Sequence, residues 1–218
     1  LYTDVMHYDS TNPKWDGRDR FILSKGHAGA AIYAALAENG FFPVEELKTH
    51  YQNGSRLSGH VSHHLPGVDF STGSLGHGLS AAAGMAYAAK KDGKSHKVYV
   101  VLGDGECNEG SVWEAAMFAN HFRLNNLVCI VDHNHMASLD FNENTIEIED
   151  FGAKWSAFGW NVIEINGNDH NELTQAFSKA SDNSTKTSHK PTVIIANTIK
   201  GYGVSFMQND ILWNYSLP

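Results

Sequence analysis

An aspartate held between two glycines directly follows the apolar run KVYVVL at residues 97–102. Glycine and aspartate are poor strand residues and common turn residues, so the motif indicates a special backbone geometry or a bound ligand. Because Gly103 and Gly105 have no side chain, backbone N–H groups at this turn can approach a phosphate closely. The carboxylate of Asp104 is, in turn, a good ligand for a hard cation.

A second polar residue follows the next apolar run, NLVCIV at residues 126–131, where the chain reads VDHN and reaches Asn134. If the two runs are neighbouring parallel strands, Asp104 and Asn134 lie in one crevice at the carboxyl ends of those strands, where such sheets bind ligands. Mg²⁺ prefers oxygen ligands of this kind and often completes its octahedron with phosphate oxygens and water. Each residue alone is better explained as a turn or capping residue, but the pair favours a ligand site.

The rest of the sequence alternates predicted strands and helices. This pattern predicts an α/β fold, a mostly parallel sheet with helices on both faces, in a single domain over residues 1–218. In the helix 111–122 we expect Ser111 as N-cap and one buried face of small residues. Buried strands are predicted at 97–102, 126–131, 161–165 and 192–198, helices at 28–40, 79–91 and 111–122, and the buried face at Val112, Ala115, Ala116 and Ala119.

Composition excludes several classes of function. The net charge of −8 argues against nucleic acid and anionic membranes as partners, and no apolar stretch approaches the roughly 20 residues that span a bilayer. Two cysteines, Cys107 and Cys129, form no disulfide framework, so a reducing cytoplasm is expected. The first residues, LYTDVMHYDS, contain no secretory signal and no initiator Met, and we expect the natural beginning to lie upstream.

Two other ligand motifs are weak. The histidines of GHVSHH at 59–64 suggest zinc, but no nearby cysteine or carboxylate completes the site. The glycines of GSLGHG at 73–78 suggest a dinucleotide, but they follow PGVDFST, which is a poor strand. Neither motif is favoured.

Longer motifs resemble one family. The chain contains RDRFILSKGHAGAAIYAALAENGFF, SRLSGH, PGVDFSTGSLGHGLSAAAGMA, GDGECNEGSVWEAAMFANHFRLNNL and KGYGVSFM, and its GDG is followed by an Asn thirty positions after the Asp. From about residue 18 to 218 it is similar to the N-terminal, diphosphate-binding half of a split transketolase. The resemblance implies the thiamine diphosphate-binding fold, with thiamine diphosphate and Mg²⁺, or Ca²⁺ or Mn²⁺ in its place, as cofactors.

The resemblance also implies roles for particular residues. The metal would be held by Asp104, Asn134 and the backbone carbonyl of Met136, and the catalytic residues would be His27 and His60. Glu109 and Glu114 match acids at a subunit interface. Cofactor-binding residues would be His60, Gly73, Ser74, Leu75, Gly103, Asp104, Gly105, Glu106, Asn134, Met136 and Lys200.

The sequence departs from the family near the substrate channel. Asn214 stands where split transketolases usually have a histidine, and an amide cannot carry a proton. The loop after Asn134 reads HMASLDFNEN without the usual Asp-Gly, the usual GHD is GNDH at 167–170, and an N-terminal segment with a further histidine is missing. This pattern predicts retained cofactor binding with a substrate other than ordinary pentose phosphates.

The family also implies a partner. Its pyrimidine-binding domain, with the activating glutamate, and its C-terminal domain would belong to a second subunit in an α2β2 heterotetramer. Trp113, Met117 and Phe118, expected to be exposed on the helix 111–122, are candidates for that contact. The predicted function is two-carbon ketol transfer from a ketose phosphate to an aldehyde. Transfer to a carrier-bound acceptor and an inactive scaffold subunit are the alternatives.

Overall fold

The computed structural model describes residues 1–148, 150–185 and 189–214. Its centre is a five-stranded parallel sheet with the strand order β1-β2-β3-β5-β4. The strands are β1 (Arg20–Leu23), β2 (Val98–Gly103), β3 (Leu127–His133), β4 (Asn161–Asn166) and β5 (Thr192–Asn197). The helices are α1 (Gly29–Glu38), α2 (Gly78–Lys91), α3 (Gly110–His121), α4 (Phe151–Ala157) and α5 (His170–Thr185). Within the described ranges, no helix is long and apolar enough to cross a membrane.

Both faces of the sheet are covered, which confirms the predicted α/β fold. On one face Val100 and Leu102 of β2 lie in a buried cluster with residues of α2, α3 and α4. On the other face Tyr99 packs near Phe177 of α5, with their ring centroids 6.5 Å apart, in a cluster that also contains Leu36 of α1. Burial on both faces explains why β2 and β3 read as continuous apolar runs without alternation.

The predicted strands and the sheet differ at its two edges. β1 was not predicted, because four apolar residues between charged neighbours give no usable periodicity. β4 was predicted to be buried, and this was wrong, since its residues are half-buried or exposed. β4 pairs only with β5 and is therefore an edge strand.

The three predicted helices are confirmed as α1, α2 and α3, with ends shifted by no more than two residues. The predicted buried face of small residues in α3 is also confirmed. Ser111 as N-cap was wrong: it lies inside the first turn, and its hydroxyl donates to the carbonyl of Gly76 at 2.9 Å.

Trp113 was predicted to be exposed, and this too was wrong. Its indole N–H donates to the carbonyl of Cys107 at 2.8 Å, and its ring lies 5.1 Å from that of Trp155. Met117 and Phe118 are exposed, at 55% and 38% of their surface. The exposed apolar surface of α3 is therefore smaller than predicted.

Candidate functional site

A cavity of about 270 Å³ lies at the carboxyl end of the sheet, where β2 and β3 run side by side with Gly103 paired to Asp132. Asp104 and Asn134 follow these strand ends, as the neighbouring-strand prediction required. Other residues of the wall had not been predicted: Lys25, Ala137, Ser138, Leu139 and Thr145. The predicted site residues that line the cavity are His27, Leu75, Gly103, Asp104, Gly105, Glu106, Asn134, Met136 and Lys200.

Asp104 is a buried carboxylate, 2% exposed, at the floor of this cavity. Its Oδ1 accepts the N–H of Gly105 at 2.7 Å, and its Oδ2 accepts the N–H of His135 at 2.6 Å. Burial raises the pKa of Asp104 above its ordinary value, although both N–H groups act in the opposite direction. Within the described ranges no lysine or arginine forms an ion pair with this carboxylate. A cation in the cavity would supply the missing charge.

Asn134 and Met136 lie beside Asp104 on the loop that follows β3. The amide oxygen of Asn134, a residue only 6% exposed, accepts the N–H of Met136 at 3.0 Å. His135 between them has a positive φ of 61°, which reverses the chain direction so that its own N–H reaches Asp104.

Met136 forms an antiparallel bridge with Phe141, closed by hydrogen bonds between the residues on either side. In such a bridge the N–H and C=O of the central residue point away from the paired strand. No hydrogen bond from the described part of the chain reaches the Met136 carbonyl. A carboxylate, an amide oxygen and a free backbone carbonyl therefore share one region of the cavity wall.

Basic groups surround the same cavity. Lys25, Lys200 and His27 all line it. Burial lowers the pKa of Lys200, and the charge of Lys25 lowers it further. Burial also lowers the pKa of His27, with additional effects of Lys25 and Lys200, so its imidazole is neutral at pH 7. Two ammonium groups and a neutral imidazole suit a polyanionic ligand such as a diphosphate.

Three predicted residues lie outside the cavity wall. His60, Gly73 and Ser74 are exposed, and a methyl group on Gly73 would lie 3.5 Å from the His60 ring. The backbone carbonyl of His60 accepts the hydroxyl of Tyr33 at 3.0 Å. His60 still acts electrostatically on His27 and so belongs to the same side of the molecule.

Glu106 lines the cavity, but its carboxylate joins three segments of the wall. The residue is 3% exposed. Its Oε1 accepts the hydroxyl of Ser24 and the N–H of Gly76, the latter at 2.8 Å, and its Oε2 accepts the N–H of Gly103 at 3.2 Å. The carboxylate thus ties the end of β1, the loop before α2 and the end of β2 together, and both of its oxygens already have donors.

Replacing Glu106 with glutamine should therefore destabilise the fold. An amide has one oxygen, so its NH₂ group would face a backbone N–H, and leaving such a buried group unsatisfied costs about 1–3 kcal/mol. We expect a loss of this size in the free energy of unfolding, measured by urea denaturation. Glu114→Gln, an exposed site on α3, is the matched control and should change nothing. Equal stability of both variants and the unmodified protein would contradict this assignment.

Sequence reasoning missed a second buried network beneath the cavity. The ammonium of Lys25 lies 2.6 Å from the Oδ2 of Asp132, and the hydroxyl of Thr198 donates to the Oδ1. Burial raises the pKa of Asp132, but the charge of Lys25 and the three hydrogen bonds outweigh it and keep the pKa below its ordinary value. The signal that could have located Lys25 is the position of SKGH at a strand end, and it is visible only when β1 is known.

Together these features define a class of protein. A parallel α/β domain with a cation-deficient aspartate, two further oxygen donors and a rim of ammonium groups binds a polyanionic cofactor through a divalent cation. Residues 1–211 match the family model described as transketolase, thiamine diphosphate binding domain. The chain belongs to the transketolase family.

Similar proteins include single subunits of split transketolases. Over all 218 residues the chain is 42% identical to one subunit of the apulose-4-phosphate transketolase of Phocaeicola vulgatus and covers 76% of that protein. Over 212 residues, 97% of the chain, it is 43% identical to 6-deoxy-6-sulfo-D-fructose transketolase subunit SqwG of a Clostridium species and again covers 76%. The chain is thus similar to subunits that are themselves named for unusual sugars.

A solved structure agrees with these relatives. Transketolase from Campylobacter jejuni superposes with a TM-score of 0.90 at 33% identity, over 97% of this chain and 34% of that one. The chain therefore spans about a third of a full-length transketolase. The family and fold expected from the sequence are confirmed, as is the class of function, a thiamine diphosphate-dependent transketolase subunit.

Proposed function

We propose that this chain binds thiamine diphosphate with Mg²⁺ and, together with a partner subunit, transfers a two-carbon ketol unit from a ketose phosphate to an aldehyde. The observation that carries the proposal is the buried carboxylate of Asp104, which has two N–H donors and no cationic partner among the described residues. Its nearest polar neighbours are those that a divalent cation and a diphosphate need.

The donor set fits a hard cation. Asp104, Asn134 and the carbonyl of Met136 supply oxygen only, which suits Mg²⁺, Ca²⁺ or Mn²⁺ and leaves coordination positions for phosphate oxygens and water. Only one of the three ligands is charged, so the metal keeps positive charge for the diphosphate. The raised pKa of Asp104 has the same origin, an acid buried where a cation belongs.

The cavity also fits a diphosphate. A methyl group on Gly105 would lie 3.4 Å from the backbone of Ala137, so the space beside this turn admits a ligand only because glycine has no side chain. Lys25 and Lys200 supply positive charge on the other side. We assign the diphosphate to Gly103, Gly105, Glu106 and these lysines, with the 73–75 loop and His60 next to the rest of the cofactor.

The chain's own residues contribute proton transfer and positioning. Bound thiamine diphosphate supplies the stabilisation of negative charge that ketol cleavage requires. His27 is neutral at pH 7 and faces the cavity, so it can accept a proton from a substrate hydroxyl and return it. His60, exposed beside it, is assigned to substrate hydroxyls farther from the cofactor.

The substrate is proposed to be a specialised ketose phosphate or a related sugar. Asn214 stands at the position of a usual histidine, and its NH₂ group donates to the carbonyls of Ser138 and Ala137, at 3.2 and 3.4 Å. It therefore holds the cavity loop and moves no proton. The two relatives named for apulose-4-phosphate and for a sulfonated deoxy-fructose support a donor of this kind.

The partner is proposed to be a C-terminal transketolase subunit in an α2β2 heterotetramer. Relatives that are named as one lettered subunit of a transketolase support a second chain. Exposed Met117 and Phe118 on α3, with Glu109 and Glu114 on the same segment, form the proposed contact. The free, buried thiols of Cys107 and Cys129 support a reducing, cytoplasmic location.

The test is two-carbon transfer by the co-purified pair of subunits. Thiamine diphosphate, Mg²⁺ and a panel of ketose phosphate donors would be offered with aldehyde and carrier-bound acceptors, and products identified by mass spectrometry. We expect transfer that EDTA abolishes and Mg²⁺ restores. Product on a carrier alone would support the carrier-bound alternative. Cofactor binding that does not depend on metal would contradict the proposed site.

A further inference from the structure

We propose that Asp132 is a positioning residue that fixes the orientation of the Asn134 amide, with its oxygen towards the metal position. This inference rests on the proposed metal site and adds to it a residue outside the ligand set. Asp132 is the penultimate residue of β3 and is paired with Gly103 of β2 and Ala196 of β5, so its backbone is fixed from both sides.

The two hydrogen bonds of the Asn134 side chain favour the same orientation. Its Nδ2 donates to the Oδ2 of Asp132 at 3.2 Å, and its Oδ1 accepts the N–H of Met136 at 3.0 Å. A carboxylate can only accept, so only the amide nitrogen can face it. In the reversed orientation a carbonyl oxygen would face the charged Asp132 oxygen, and an NH₂ group would face the N–H of Met136.

Asp132 is not itself available as a metal ligand. The ammonium of Lys25 lies 2.6 Å from its Oδ2, and the hydroxyl of Thr198 donates to its Oδ1. The ion pair with Lys25 also offsets the negative charge of Asp132, so the metal position faces one uncompensated carboxylate, that of Asp104. Asp132 therefore acts on the metal through Asn134.

The experiment measures Mn²⁺ affinity by electron paramagnetic resonance, at saturating thiamine diphosphate, with the chain in complex with its partner subunit. Asp132→Ala removes the acceptor that orients Asn134, and we expect Mn²⁺ to bind about 10- to 100-fold more weakly, as when hydrogen-bond partners of metal ligands are removed. Asp132→Asn keeps an oxygen that can face the Asn134 nitrogen and should restore most of the affinity. This rescue would not arise from a general loss of packing.

Two further variants separate orientation from charge and from folding. Lys25→Met removes the ion pair but leaves the contact between Asp132 and Asn134, so Mn²⁺ affinity should be unchanged or higher. Asp169→Asn makes the same chemical change at an acid beyond β4 that accepts N–H groups of α5, and it should leave Mn²⁺ affinity unchanged.

Equal losses in Lys25→Met and Asp132→Ala, or an Asp132→Ala variant that binds Mn²⁺ normally, would overturn the inference. Absence of Mn²⁺ binding by the unmodified complex would instead overturn the proposed metal site.

Discussion

Replacing Asp104 with asparagine is expected to abolish metal-dependent binding of thiamine diphosphate while leaving the fold intact. The substitution removes the only charged ligand of the proposed site. We expect the affinity for Mg²⁺ and cofactor to fall by at least about 100-fold, because even partners that only orient ligands contribute 10- to 100-fold. Isothermal titration calorimetry of the co-purified complex, with and without Mg²⁺, measures this directly.

The stability of the cofactor-free protein should change little in the same variant. Burial raises the pKa of Asp104, so the ionised carboxylate destabilises the cofactor-free fold as pH rises through that raised pKa, and asparagine removes this cost. An amide, however, can accept only one of the two N–H groups of Gly105 and His135 well. These effects oppose each other, so we expect the free energy of unfolding to stay within about 1 kcal/mol.

Asp92→Asn, at an exposed aspartate that ends α2, is the matched control and should retain cofactor affinity. Normal affinity in Asp104→Asn would contradict the assignment of this carboxylate as a ligand. A variant that loses both affinity and its folding transition would show that Asp104 is needed for the structure.

The metal-binding half of the site was predictable because strand ends mark it. Asp104 and Asn134 each follow a long apolar run, and neighbouring parallel strands bring such ends together without further information. The structure adds how the two are joined, through the N–H of His135 on Asp104. That contact depends on a left-handed residue in an irregular loop, which no periodicity in the sequence reveals.

The second network was not predictable, for a different reason. Lys25 and Asp132 are 107 positions apart, and Thr198 is 66 positions from Asp132, so their contacts exist only once the strand order is known. The order itself follows from β5 inserting between β3 and β4, and from β1, whose four residues are too few to show a pattern. Exposure was likewise misjudged at Trp113, because its aromatic partners, including Trp155, come from another helix.

The second large effect is expected at Gly78, the first residue of α2. A methyl group on this residue would overlap the side chain of Ser24 and lie 2.8 Å from its Cα, which is backbone and cannot rotate away. Ser24 donates to Glu106, so the overlap would also disturb the carboxylate that joins the cavity walls. We expect Gly78→Ala to lose about 1–3 kcal/mol of stability, the range for overpacked cores, and to bind cofactor more weakly.

Gly84 in the same helix provides the opposite expectation. It is exposed, and a methyl group there meets nothing within 4 Å. Since alanine is favoured over glycine inside a helix by about 0.5–1 kcal/mol, Gly84→Ala should stabilise the protein and leave cofactor affinity unchanged. Urea denaturation of both variants decides the matter, because helix propensity alone would stabilise both. Stabilisation in Gly78→Ala would mean that Ser24 and α2 can separate without cost, and the proposed link between this packing and the cofactor site would be lost.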